Sequence, residues 1–116
     1  MRLTVLIVDD HPSFRASARI VLESDGFEVV GEAADGASAV EACGRLQPAV
    51  VLLDVQLPDT DGFHVCAELL ARALAPHVIL TSSRDCCDFG PMVDRSGARG
   101  FVPKAELSGE RVQELL

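Results

Sequence analysis

Apolar runs and segments of helical period take turns along the chain. Val5-Leu6-Ile7-Val8 and Val50-Val51-Leu52-Leu53 are continuously apolar, as strands covered on both faces must be. Phe14, Ala18, Val21 and Leu22 recur instead at the spacing of one helical face. This alternation predicts parallel strands joined by crossover helices, an α/β fold with a doubly wound sheet and helices on both faces.

The first strand covers Thr4 to Val8. The first helix opens at Pro12, whose ring presets the φ of a first helical position, and stops before Gly26. Phe27 to Ala33 reads as the second strand, and Asp35 is placed to cap a helix carrying Ala39, Val40, Cys43 and Leu46 on one face until Pro48 closes it. Ala49 to Leu53 gives the third strand. Pro58-Asp59-Thr60-Asp61-Gly62 then has turn chemistry throughout, with Asp59 and Asp61 serving the turn itself. Phe63, Cys66, Ala67 and Leu70 form the stripe of a third helix, and His77 to Leu80 and Ala98 to Val102 complete five strands.

Ser82 to Ser96 contains Gly90 and Pro91 and shows a poor helical stripe, so a short or shifted fourth helix is expected, with Ser82 and Ser83 as loop hydroxyls. Ser108 is an N-cap candidate for a last segment bearing Val112, Leu115 and Leu116. That segment ends after little more than two turns, as in a chain cut from something longer.

Composition narrows the reading. A chain of 116 residues with 48% hydrophobic content supports one core and one domain, residues 1–116. Eighteen acids against ten Lys and Arg give a net charge of -8, which repels phosphate backbones and argues against direct nucleic-acid binding by this domain. Cys43, Cys66, Cys86 and Cys87 lack paired CxxC spacing, so buried hydrophobes in a reducing compartment are expected rather than a zinc site. The N-terminal apolar stretch, Leu3 to Val8, runs straight into two acids, which fits neither a signal peptide nor a membrane span; cytoplasmic residence without membrane attachment is expected.

The chemistry collects at strand ends. Asp9 and Asp10 follow the first strand, Asp54 the third, Thr81 the fourth and Lys104 the fifth. In an open parallel sheet, sites form outside the carboxyl ends of the strands, where three crowded carboxylates need a cation among them. A hard ion with oxygen ligands suits them, magnesium better than calcium, and a carboxylate beside it can attack phosphorus if metal, ammonium and hydroxyl groups neutralise the charge that develops. Taken singly, Asp9-Asp10 could cap a helix, Thr81 could end a β-branched run and Lys104 could be a solvated charge; their joint placement argues otherwise. His11, His64 and His77 lack ligand spacing and read as surface or edge residues.

The chain resembles the receiver domain of bacterial two-component response regulators. The likeness runs through Leu6-Ile7-Val8-Asp9-Asp10-His11-Pro12, Leu52-Leu53-Asp54-Val55-Gln56-Leu57-Pro58-Asp59, Thr81 and Gly100-Phe101-Val102-Pro103-Lys104. It implies a flavodoxin-like strand order 2-1-3-4-5 and a phosphoacceptor at Asp54. It also implies Mg2+ bound by Asp10, Asp54 and the Gln56 carbonyl, with Asp9 acting through water. Thr81 and Phe101 would form the switch pair, and Lys104 would contact the phosphoryl group. The implied partners are a sensor histidine kinase, an output domain (C-terminal or separate), and a second copy on phosphorylation. Catalysis would be confined to the domain's own phosphorylation and dephosphorylation.

Ala105 after Lys104 resembles receivers attached to helix-turn-helix outputs, hence transcription regulation, whereas Asp85 to Pro91 departs from the usual receiver sequence. The competing readings are a phosphorylation-independent pseudo-receiver, a cofactor carrier of the same strand order, and an acid-nucleophile phosphatase. Asp9-Asp10-His11-Pro12 has the wrong charge for the carrier's phosphate loop, and Gln56 cannot act as the phosphatase's general acid.

Overall fold

The structure, a computed structural model, describes residues 2–83, 89 and 91–116. Its centre is a parallel sheet in the order β2-β1-β3-β4-β5, formed by β1 (Thr4–Val8), β2 (Glu28–Ala33), β3 (Val50–Asp54), β4 (His77–Ser82) and β5 (Gly100–Pro103). β1, β3 and β4 lie inside the sheet and their apolar residues are buried throughout, which explains why their sequences are runs rather than alternations.

The helices divide between the two faces. α1 (Pro12–Ser24) sends Ala18 and Leu22, and α5 (Gly109–Leu115) sends Val112, into one core with Val5, Ile7, Val50, Leu52, Ile79 and Val102. On the other face α2 (Gly36–Leu46), α3 (Gly62–Leu70) and α4 (Met92–Arg95) cover Leu6, Val8, Val51, Leu53, Val78 and Leu80. The expected α/β architecture, strand order and two-sided helix cover all hold. Among the described residues no helix is long and apolar enough to cross a membrane.

Local chemistry sets the boundaries. The Asp35 carboxylate accepts from Ser38 N–H and caps α2, Asp61 accepts from His64 N–H and caps α3, and the Ser108 hydroxyl accepts from Arg111 N–H and caps α5. Gly26 follows α1 with φ 96°, a left-handed conformation that glycine adopts without strain. α2 closes ahead of Pro48 as expected: Gln47, the residue the proline restricts, stands in the left-handed region at φ 48°.

Three expectations need correction. The buried face of α3 is Val65, Cys66 and Leu69, with Ala67 exposed and Phe63 and Leu70 only half-buried. This helix is apolar nearly all round, so packing rather than periodicity selects its inner face. Ser82 is a buried residue of β4, not a loop hydroxyl, because the strand extends to pair with Pro103. Asp59 does more than shape its own turn, since it reaches α2 as described below. The fourth helix is short among the described residues, as expected, and Asp85, Cys86, Cys87 and Gly90 lie outside them.

Candidate functional site at the carboxyl edge of the sheet

Strand alternation decides which side chains meet. Val5 and Ile7, Val50 and Leu52, Ile79, and Val102 all enter the core beneath α1 and α5. Two residues farther along the respective strands stand Asp9, Asp54, Thr81 and Lys104, so all four emerge on that same side of the sheet. Register aligns their heights: Val8 lies opposite Leu53, Asp54 opposite Thr81, and Thr81 opposite Val102.

The pocket so formed is acidic and partly sealed. Asp9 and Asp54 are buried whereas Asp10 is exposed. Ligand atoms of Asp9, Asp10, His11 and Asp54 all lie within 4.8 Å of one another. Lys104 bridges the two buried acids, with Nζ 2.6 Å from Asp9 Oδ2 and 3.1 Å from Asp54 Oδ2, and rests 4.6 Å from the centre of the Phe14 ring. The His11 N–H donates to Asp9 Oδ1 at 2.8 Å, and the Gln56 N–H donates to Asp54 Oδ1 at 3.0 Å.

These contacts divide the titration of the acids. Burial opposes ionisation of Asp9, but Lys104 and the His11 N–H outweigh it and hold its carboxyl below the usual range. Burial also dominates at Asp54, and there the neighbouring Asp9 charge adds to it, so the carboxyl is pushed up despite Gln56 and Lys104. Lys104 is itself raised: its desolvation is exceeded by the two acids it holds.

Thr81 Oγ1 is fully buried and has no hydrogen-bond partner among the described residues. An orphaned buried hydroxyl is costly and marks a position where an acceptor is expected. Phe101, opposite Leu80, faces the other core and is half-buried in a row of rings, with Phe89 5.8 Å from it and Phe63 5.8 Å beyond.

Backbone geometry fixes the loop after β3. The Val55 N–H donates to the Thr81 carbonyl at 3.0 Å, and the Gly62 N–H returns to the Val55 carbonyl at 2.6 Å, so α3 starts against the end of β3. A Cβ on Gly62 would collide with the Asp54 carbonyl and crowd Val55 Cα, which is why a glycine stands there. Asp59 carries the same loop to α2, accepting from Gly36 N–H at 2.8 Å and Ala37 N–H at 3.1 Å. Those bonds, the Gly36 one foremost, hold its carboxyl below the usual range.

The structure thus brings together Asp9, Asp10, Asp54 and Lys104, places Thr81 beside them and sets Phe101 on the opposite face. Sequence reasoning missed His11, whose exposed ring joins the acids with Nδ1 2.9 Å from Asp9 Oδ1 and 3.1 Å from Asp10 Oδ1. Its position directly after the acid pair, at the N-cap of α1, was the available signal. Gly62 and the reach of Asp59 were missed too, and their partners are too distant in sequence to be read from spacing.

A 2-1-3-4-5 parallel sheet with acids and a lysine converging at its carboxyl edge defines a doubly wound α/β domain with a polar site at the strand ends. The sequence model of the response regulator receiver domain matches residues 5–115, and the chain belongs to that family. A protein of Pseudomonas aeruginosa named as a transcriptional regulator is 40% identical over 106 residues, covering 91% of this chain and 51% of that protein. The DNA-binding transcriptional activator EvgA of Escherichia coli is 33% identical over 104 residues, covering 90% of this chain and 51% of EvgA. The signal receiver domain of the response regulator NarL from Mycobacterium tuberculosis superposes with a TM-score of 0.87 at 35% identity, covering 97% of this chain and 94% of that one. These relatives agree with the lean toward receivers attached to DNA-binding outputs. The chain spans about half the length of the two curated relatives.

Proposed function

We propose that this domain takes a phosphoryl group from the phosphohistidine of a sensor kinase onto Asp54, in a magnesium-dependent reaction, and that the modified form controls an output. The observation that carries the proposal is the convergence of Asp54, Asp9, Asp10, Lys104 and the unpartnered Thr81 hydroxyl at one spot. In the transfer an Asp54 carboxylate oxygen forms a bond to phosphorus as the phosphorus–nitrogen bond breaks, and the leaving imidazole keeps the electron pair and takes up a proton. An acid whose charged form is poorly stabilised is the better nucleophile, and Asp54 is that acid here. Lys104 Nζ and the Thr81 hydroxyl would neutralise the phosphoryl oxygens.

The donor set suits magnesium: carboxylates at hard-ion spacing, with Asp9, Asp10, Asp54 and the Gln56 carbonyl as holders. When bound, the ion offsets the carboxylate charge and polarises the phosphoryl oxygens.

The aspartyl phosphate carries about -1.5 to -2 of charge beside Thr81, in place of the single charge of the carboxylate. Thr81 directly follows Leu80, the partner of Phe101 across β4 and β5, so motion of the hydroxyl reaches Phe101 and the rings of Phe89 and Phe63. An output domain on the same or another chain, transcription as the process controlled, a second copy bound on phosphorylation and a cytoplasmic setting complete the proposal.

Intact-mass measurement after exposure to a small-molecule phosphodonor tests it. One phosphoryl group should add in magnesium, and none with chelator or in Asp54→Asn. Absence of labelling would leave only a phosphorylation-independent interaction module, and equal labelling of Asp54→Asn would put the phosphoryl group on another residue and overturn the assignment of Asp54. Beryllium fluoride with magnesium should shift the Phe101 ring resonances; an unmoved ring removes Phe101 from the switch.

A further inference from the structure

We propose that His11 is a nitrogen ligand of the acid pocket, so that the pocket takes manganese, cobalt or nickel ions with carboxylates and an imidazole together. The inference rests on the metal site proposed above and adds a residue and an ion class to it. Two neighbouring ligands on an octahedral ion with bonds of about 2.1 Å stand about 3.0 Å apart. His11 Nδ1 is 3.1 Å from Asp10 Oδ1, the spacing of an octahedral edge, and it also stands 2.9 Å from Asp9 Oδ1, a hydrogen-bonding contact that holds the ring beside the pocket.

The ring is also directed. His11 is the extended N-cap residue of α1, and its own N–H is tied to Asp9 Oδ1 at 2.8 Å, which fixes the backbone from which the imidazole projects. The side chain remains exposed, so ions reach it from solvent. A second observation points to a ligand at the same place: the buried Thr81 hydroxyl, across from Asp54, lacks any acceptor among the described residues.

Ligand softness makes the assignment consequential. Magnesium gains little from an imidazole, whereas affinity of nitrogen-containing sites climbs from manganese through cobalt to nickel. His11 should therefore leave magnesium binding nearly unchanged and raise affinity for the later ions. It would make the pocket responsive to which divalent ion is at hand, where carboxylates alone discriminate weakly.

The test compares wild type with His11→Gln, both checked for fold by circular dichroism. Nickel affinity is measured by calorimetry, with magnesium as competitor to identify the pocket and His64→Gln as control for the separate His64–Glu68 pair on α3. Loss of second-shell partners already costs about 10–100-fold, so His11→Gln should weaken nickel at least about tenfold while magnesium changes less than about twofold. Pulsed electron paramagnetic resonance of bound manganese should show nitrogen-14 coupling in wild type, absent in His11→Gln. Equal nickel affinity in the two proteins, or no nitrogen coupling, overturns the role of His11 and leaves the magnesium site standing. If magnesium fails to compete with nickel and Asp10→Asn binds both ions like wild type, the pocket is not the site and both proposals fall.

Discussion

Lys104 and Asp54 carry opposite lessons about buried charge. Lys104 satisfies two acids at once, so its removal leaves Asp9 and Asp54 facing each other without a counter-ion. Asp54 is the surplus acid, raised by burial first and by Asp9 next. Its folded-state value lies above the ordinary 3.8, so its charge costs stability once the pH has risen through that raised value, and the cost is absent below 3.8. Asp54→Asn should therefore stabilise the metal-free domain at neutral pH, by about 1 kcal/mol because Lys104 already cancels part of the repulsion. Urea unfolding at a series of pH values checks this: the advantage should shrink toward zero as the pH approaches 3.8. A stability difference that stays constant with pH would contradict the assignment.

The segment from β3 to α3 shows how much of the site was legible in the sequence. The polar residues at the carboxyl ends of β1, β3, β4 and β5 could be read from the apolar runs before them, with strand alternation fixing their side, although β4 runs on through Ser82 past its apolar run. The inner face of α3 could not, since Val65 and Leu69 compete with Phe63 and Leu70 on a helix with few polar residues. Asp59 looked like a turn residue because its partners, Gly36 and Ala37, are set by the fold and not by spacing. Gly62 sets how closely α3 starts against the end of β3. Gly62→Ala must push α3 away from the end of β3, at about 1–3 kcal/mol of overpacking strain, and should slow labelling of Asp54 because the Asp54 carbonyl is the atom struck. Thermal unfolding and labelling rates measured on one preparation test both parts. Normal labelling in a destabilised variant would separate the packing role from the site.

The whole chain carries a formal charge of -8, and part of that excess is gathered at a single rim. Any ion that binds the folded rim and not the unfolded chain adds stability by mass action, about 2.7 kcal/mol at one hundred times its dissociation constant. Magnesium should accordingly raise the unfolding midpoint of wild type well beyond an equal ionic strength of sodium chloride, and should do little for Asp10→Asn. Identical responses to the two salts would show general screening of the acidic surface instead of a bound ion.

The lysine bridge joins residues near opposite ends of the polypeptide, Asp9 and Lys104, with Asp54 midway between them. These three residues can meet only once the domain has been synthesised through β5 and that strand has slotted beside β4. On the function proposed above, a partly made domain that still lacks β5 would not yet take up a phosphoryl group.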